Sequence, residues 1–404
     1  MSLQDALAIG ALFAGVLAVP AAWIVYRSGR RERHSETFRL RLAALQNDHV
    51  RLSREMLEQS PSEWKLNDFP MLSQDGWVPE SPFDLDEIQL EWKEPDEPDD
   101  LVEVSRRSAS KLVSPLALRG ANGYSAALTR VGGLHLFNGR IYRLLEVEFS
   151  ESVKRMLFTE GVYFDYLDTS EVLTFEAQLR DQSNTTVRKR SSYRRRLRSP
   201  FDFRNRVASL GIDTLTIRVE AQSAGFFLHR RDPARVVNNS SLIGVCPAGE
   251  FTPSDVTYEA VKNDLTLWRN VMREFAEEFL GAEEAQGRGG SWINYDEDSP
   301  YGELSRGRDA GRIRIKVLGF GIDPLPWKPE LLTVCLIDAD CFDAIFDNML
   351  DSNDEGLLLK GRSRKGLPFD NATVTRYCNG RDISPNAKAC LQLAWRHRSE
   401  LGLG

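Results

Sequence analysis

The chain has 404 residues, 42% of them hydrophobic and 27% charged, with 52 Lys and Arg against 59 Asp and Glu for a formal net charge of −7. That acidic balance is not the electrostatic footprint of a nucleic-acid-binding protein, so no DNA is expected among its partners. The five cysteines, Cys246, Cys335, Cys341, Cys378 and Cys390, have no paired metal-ligand spacing and read as reduced thiols packed in apolar surroundings.

Residues 1–27 read as a membrane anchor. Ala6 to Tyr26 is a 21-residue stretch without a charge, long enough at ~1.5 Å per residue to cross a ~30 Å hydrocarbon core. Trp23 and Tyr26 stand at its C-terminal edge, Arg27, Arg30, Arg31 and Arg33 follow, and only Asp5 precedes it. This asymmetry puts the N-terminus outside and the bulk of the chain in the cytoplasm, as a single-pass protein of the cell membrane. The alternative, a cleaved signal peptide, has small residues at Ala18–Ala22 but lacks the basic residues that would precede its apolar stretch.

Residues 28–60 read as a helical stem. Phe38, Leu42, Leu45, His49, Leu52 and Met56 repeat with alternating spacings of four and three, the seam of a short coiled coil and a candidate homodimer contact. The same stripe also suits a helix packed on its own domain. Residues 61–120 form an acidic strap: Glu80 to Glu103 holds eleven acids and one Lys, broken by Pro82, Pro95 and Pro98. Trp77, Phe83, Ile88, Leu90 and Trp92 are too apolar for a free linker, so the strap is expected to lie along the domain. Residues 121–204 form a small mixed region, with strand-like 141–148 and the amphipathic 173–179, and carry no readable chemistry.

Arg188, Lys189, Arg190, Arg194, Arg195, Arg196, Arg198, Arg204 and Arg206 place nine positive charges against Asp202 alone. They read as a surface loop facing anionic lipid, worth ~1 kcal/mol per residue near the leaflet, or as guanidinium forks for phosphate. No helix-turn-helix accompanies them.

From residue 205 to 404 strands and helices alternate. Candidate strands are Leu215–Glu220, Gly225–Arg231, Ser241–Val245, Arg312–Leu318 and Leu331–Ile337, with a closing helix from Pro385 to Leu401. Cys246-Pro247-Ala248-Gly249 forms a turn, and Arg273-Glu274-Phe275-Ala276-Glu277-Glu278 follows two dozen residues later. Glu274, Glu277 and Glu278 stand at i, i+3 and i+4, so on a helix they share one side. Such a cluster is either a solvated, salt-bridged face or an oxygen-rich site for a hard divalent cation.

The Pro-Ala-Gly turn followed by Arg-Glu-x-x-Glu-Glu resembles the Nudix family, over about residues 205–402. The resemblance implies an α/β fold (α+β), a C-terminal Nudix α/β/α sandwich with a mixed sheet behind the small mixed domain and one transmembrane helix. It also implies a Mg²⁺ or Mn²⁺ ion on Glu274, Glu277 and Glu278, with Glu277, Glu278 and Arg273 in the catalytic set, and a nucleotide or nucleoside diphosphate derivative as substrate. This sequence departs from the pattern in several places: Leu265 stands where the family has a further Glu, Glu259 where it has Gly, and Leu280 where Gly is expected, with Gly281 one residue late. A general base must then come from elsewhere, with Asp264, Glu330 and Glu355 as candidates. Arg230 and Arg231 are placed to take substrate phosphate, and Trp327 to stack a base or to pin a proline-rich turn on the core.

The stretches at Phe201–Arg206 and Asp323–Trp327 are similar to sequences of actinobacterial regulatory proteins, in which such a C-terminal region is joined to a DNA-binding module. Three readings follow: a metal-dependent diphosphate hydrolase, a catalytically inactive nucleotide sensor signalling at the membrane, and a protein-docking module.

Overall fold

The computed structural model describes residues 32–45, 47–95, 99–113, 123–181, 193–231, 242–283, 293–352, 356–361 and 365–404. The anchor at 6–26, the basic residues 188–190 and Glu355 lie outside them. Among the described residues no helix is long and apolar enough to cross a membrane.

The architecture is mixed α/β with mixed sheets. The strands among the described residues are β1 (Phe83–Asp84), β2 (Gln89–Trp92), β3 (Arg140–Phe149), β4 (Lys154–Val162), β5 (Ala208–Ser209), β6 (Gly211–Val219), β7 (Ala224–Phe226), β8 (Leu228–Arg231), β9 (Ile243–Val245), β10 (Ala248–Glu250), β11 (Ile313–Ile322), β12 (Pro329–Asp338), β13 (Gly356–Leu359) and β14 (Leu367–Pro368). The main sheet runs β1-β11-β12-β6-β7-β14, with β10 also on β6; β13-β8-β9 and β2-β4-β3-β5 form two smaller sheets.

The centre of the main sheet is the parallel pair β6 and β12, in register from Gly211↔Glu330 to Val219↔Asp338. Both strands are buried along almost their whole length, as suits a parallel pair covered on both faces. The helix Leu267–Leu280 covers one face and the helix Pro385–Arg396 the other. Ile212, Cys335 and Phe275 belong to the core on the first side; Leu215, Leu332, Leu391 and Ala394 belong to the core on the second. The expected strand Gly225–Arg231 is in fact two. β7 pairs with β6, Phe227 donates to the Thr216 carbonyl, and β8 leaves for the third sheet.

Residues 32–45 and 47–59 are helical, and of the two readings of the stem the packed helix is the one observed. Phe38, Leu45 and Leu52 are buried in the same core as Tyr124 and Phe175, with Phe38 5.3 Å from the Phe175 ring. These residues of the stripe are covered by the chain's own core. Phe38→Ala should therefore cost about 3–5 kcal/mol in denaturant unfolding; an unchanged midpoint would mean that the helix projects into solvent.

The acidic strap lies along the body. Phe83, Leu85 and Ile88 are buried, while its acids meet cations on neighbouring strands and helices. These pairs are Lys316–Asp84 at 2.9 Å, Arg308–Asp86 at 2.6 Å, Lys154–Glu87 at 2.8 Å and Arg155–Glu91 at 3.0 Å.

In the arginine-rich stretch Arg195, Arg196, Arg198 and Arg204 are exposed, as expected of a surface, while Arg194 and Arg206 are not free for lipid or phosphate. Arg206 is fully buried and donates to the carbonyls of Pro200 and Asp202, each at 2.6 Å, and of Trp327 at 3.1 Å. Arg194 donates to the carbonyls of Pro324 and Leu325. These two guanidinium groups clamp the 324–327 turn, because a buried cation needs acceptors and an irregular turn supplies spare carbonyls. They face neither lipid nor ligand. All five cysteines are free and buried.

Candidate functional site

The helix Leu267–Leu280 is the centre of the site. It ends at Gly281, whose φ of +70° is the left-handed cap that glycine adopts at least cost. Gly281 N donates to Glu277 O at 3.1 Å and Ala282 N to Ala276 O at 3.0 Å. The glycine that seemed displaced by one residue is thus the residue that stops the helix.

Glu274 and Glu278 face β10. A Cβ on Gly249 would come within 2.0 Å of the Glu274 carboxyl carbon, so only glycine lets the strand and this carboxylate pack so closely. Glu278, buried, accepts from Ala248 N at 3.0 Å. Asn270, one helical turn before Glu274, accepts from Thr252 N at 3.1 Å and approaches Glu274 Oε1 at 3.5 Å. The Tyr301 hydroxyl pKa is raised by burial first and by the charge of Glu277 second.

Arg273 does not orient this carboxylate surface directly. It is buried, donates to Tyr295 Oη at 2.6 Å, Thr252 O at 2.5 Å and Asn270 Oδ1 at 3.1 Å, and lies 3.8 Å from Asp264. Asp264 in turn accepts from Tyr295 Oη at 3.1 Å, from Ser254 N at 2.8 Å and from Ser254 Oγ. Asp264 thereby fixes the 252–254 loop to the helix, a positioning role in place of the general base expected of it. Asn270 and Tyr295 were not singled out from the sequence. Asn270 was accessible, since it stands at i−3 and i−4 from Arg273 and Glu274; Tyr295 arrives from a separate loop.

Glu330 is on the opposite face. Its carboxylate lies against Gly211, between Lys328 at 3.6 Å and the strand carrying Asp213. Lys328 also reaches Glu250 at 3.5 Å, and Asn386 of the last helix donates to Asp213 at 2.6 Å. Burial drives the Glu330 carboxyl well above the usual carboxylate range, with Asp213, Asp323 and Glu250 adding to it and Lys328 opposing. It is a buried acid of the sheet's other side and no base for the signature helix.

The expected substrate-binding residues do not gather there either. Arg230, on β8, pairs at 3.0 Å with Asp382 in the loop before the last helix. Arg231 closes β8, and its side chain is outside the described residues. Trp327 is 3% exposed, with the Arg194 guanidinium 4.7 Å and that of Arg206 5.8 Å from its ring, and it meets Trp64 edge-on. Its ring is used to pin the turn to the core.

The implied cation can be tested on this geometry. Glu278 is engaged with the Ala248 amide and Glu274 is seated on Gly249. Among the described residues no group of three or more His, Cys, Asp or Glu converges as metal ligands. The three carboxylates do not fit a preformed three-ligand site. What the arrangement does offer is a strand end, a Gly-backed carboxylate pair and a rigid Arg273–Asp264–Tyr295 base beneath them.

No protein-family model matches the chain, and no curated protein matches it.

Proposed function

We propose that this protein is a membrane-anchored, Nudix-like ligand-binding protein that takes a nucleotide or nucleoside diphosphate derivative at the signature helix and does not hydrolyse it. The observation that carries the reading is the seating of Gly249 on Glu274, joined by the Ala248–Glu278 hydrogen bond. It makes the Pro-Ala-Gly strand end and the Arg-Glu-x-x-Glu-Glu helix one surface, as the sequence resemblance requires. Binding without turnover is favoured by two features: Leu265 replaces a carboxylate, and Asp264 is committed to Ser254 and Tyr295. The anchor at 6–26 would hold this sensor at the cytoplasmic face of the membrane.

The test uses the full chain in detergent with nucleoside diphosphate sugars and dinucleotides, each with Mg²⁺, with Mn²⁺ and with chelator. A ligand at a hundred times its Kd should stabilise the fold by about 2.7 kcal/mol, with no product released. Gly249→Ala, which displaces the Glu274 carboxyl but touches only a flexible side chain, should remove that response and leave stability within about 1 kcal/mol. Metal-dependent product that disappears in Glu277→Gln would replace this reading with a hydrolase. Neither shift nor product would leave the docking module.

A further inference from the structure

A second site lies away from the signature helix. The long N-terminal helix, the 68–70 turn and the last helix enclose a cleft of about 380 Å³, within the ~300–1,000 Å³ range of small-molecule sites. Phe69, Ile383 and Pro385 give it apolar walls, and Arg54 and Lys388 reach it from opposite helices. Neither cation has an ion-pair partner among the described residues. The only acid lining the cleft is Asp68, held at φ +58° in the turn.

We infer that this cleft binds a small molecule with an apolar body and one anionic group. The anion, phosphate or carboxylate, lies between Arg54 and Lys388, where charge-assisted hydrogen bonds are strongest. The apolar body packs on Phe69 and the two apolar residues of the last helix's approach, Ile383 and Pro385. Because the walls come from residues 50–57 and 380–392, an occupied cleft ties the helix that follows residues 1–31 to the far end of the chain. Ligand occupancy would therefore be felt at the segment entering the membrane anchor.

The experiment titrates adenosine 5′-monophosphate and anthranilate, one phosphate and one carboxylate probe, into the full chain in detergent and follows binding by calorimetry. At least one probe should saturate below about 10 mM. Lys388→Met and Arg54→Gln should each weaken it by about tenfold or more. Glu277→Gln should leave it unchanged, which separates this cleft from the signature helix. Failure of both probes to saturate would overturn the inference, as would unchanged affinity in both cleft variants. Binding lost only in Glu277→Gln would also overturn it, and would support ligand capture at the signature helix instead.

Discussion

Replacing Arg273 by Met should destabilise the fold by about 3–5 kcal/mol, because it leaves a buried carboxylate without its cation. Asp264 is 2% exposed and Arg273 is 3% exposed, so neither charge can turn to water when the other is removed. The loss also strands Thr252 O and Tyr295 Oη, which Arg273 serves at 2.5 and 2.6 Å. Denaturant unfolding measures it directly. The double variant Arg273→Met, Asp264→Asn should lose less than the sum of the two single changes, since the two residues share one network. A loss under about 1 kcal/mol would contradict the positioning role. It would leave Arg273 as a residue of the ligand surface, where substitution alters binding and leaves the midpoint alone.

The second large effect is a pH dependence centred on Glu171. This residue closes a π-helical turn, Leu167–Glu171, and accepts from Tyr166 Oη at 3.0 Å. Burial pushes its carboxyl up to about 7, against opposing contributions from Tyr166, Thr174 and Lys328. The folded protein therefore holds this proton more tightly than the unfolded chain does. Stability from this group is fully present below the unfolded pKa of about 4.5 and declines as the pH rises through the folded value, by about 3 kcal/mol in all. Glutamine keeps an oxygen for Tyr166 and cannot ionise. The stability of Glu171→Gln relative to the natural protein should be near zero at about pH 4 and favour the variant by about 3 kcal/mol at about pH 8. Glu330 shifts in the same direction, so the difference between the two proteins, not either profile alone, isolates Glu171. A difference that does not change with pH would rule out the proton.

Much of the fold could be read from the sequence because it rests on local pattern. The stretches 215–219 and 331–337 are strands, since residues rich in β-branched and apolar side chains suit a sheet covered on both faces. The last helix starts at Ser384, whose side chain accepts from Ala387 N at 3.3 Å, with Pro385 in the first turn. Other features were ambiguous for a physical reason. A stripe at spacings of three and four says that one helix face is apolar, but not whether a second copy or the chain's own core covers it. Phe38, Leu45 and Leu52 meet the core.

Charge was the least legible. Nine cations in nineteen residues suggest a surface, and only the path of the 324–327 turn shows that Arg194 and Arg206 have carbonyls to serve. Likewise, the i, i+3, i+4 spacing put Glu274, Glu277 and Glu278 on one side of a helix. Spacing cannot say what packs beside that helix, and here β10 takes two of the three.

The sequence by itself determined where the strands and helices form, that the segment 77–92 must lie on the body, and that the Pro-Ala-Gly turn and the carboxylate helix belong to one region. These depend on short-range periodicity, capping and hydrophobicity, which neighbouring residues carry among themselves. Tertiary structure alone decided the parallel pairing of β6 with β12, the commitment of Arg273 to Asp264 and Tyr295, and the place of Arg54 and Lys388 at one cleft. The first and last join residues more than a hundred positions apart, and the second turns on which loops cover one side of a helix. Such contacts are set by the packing of the whole chain, and no local pattern encodes them.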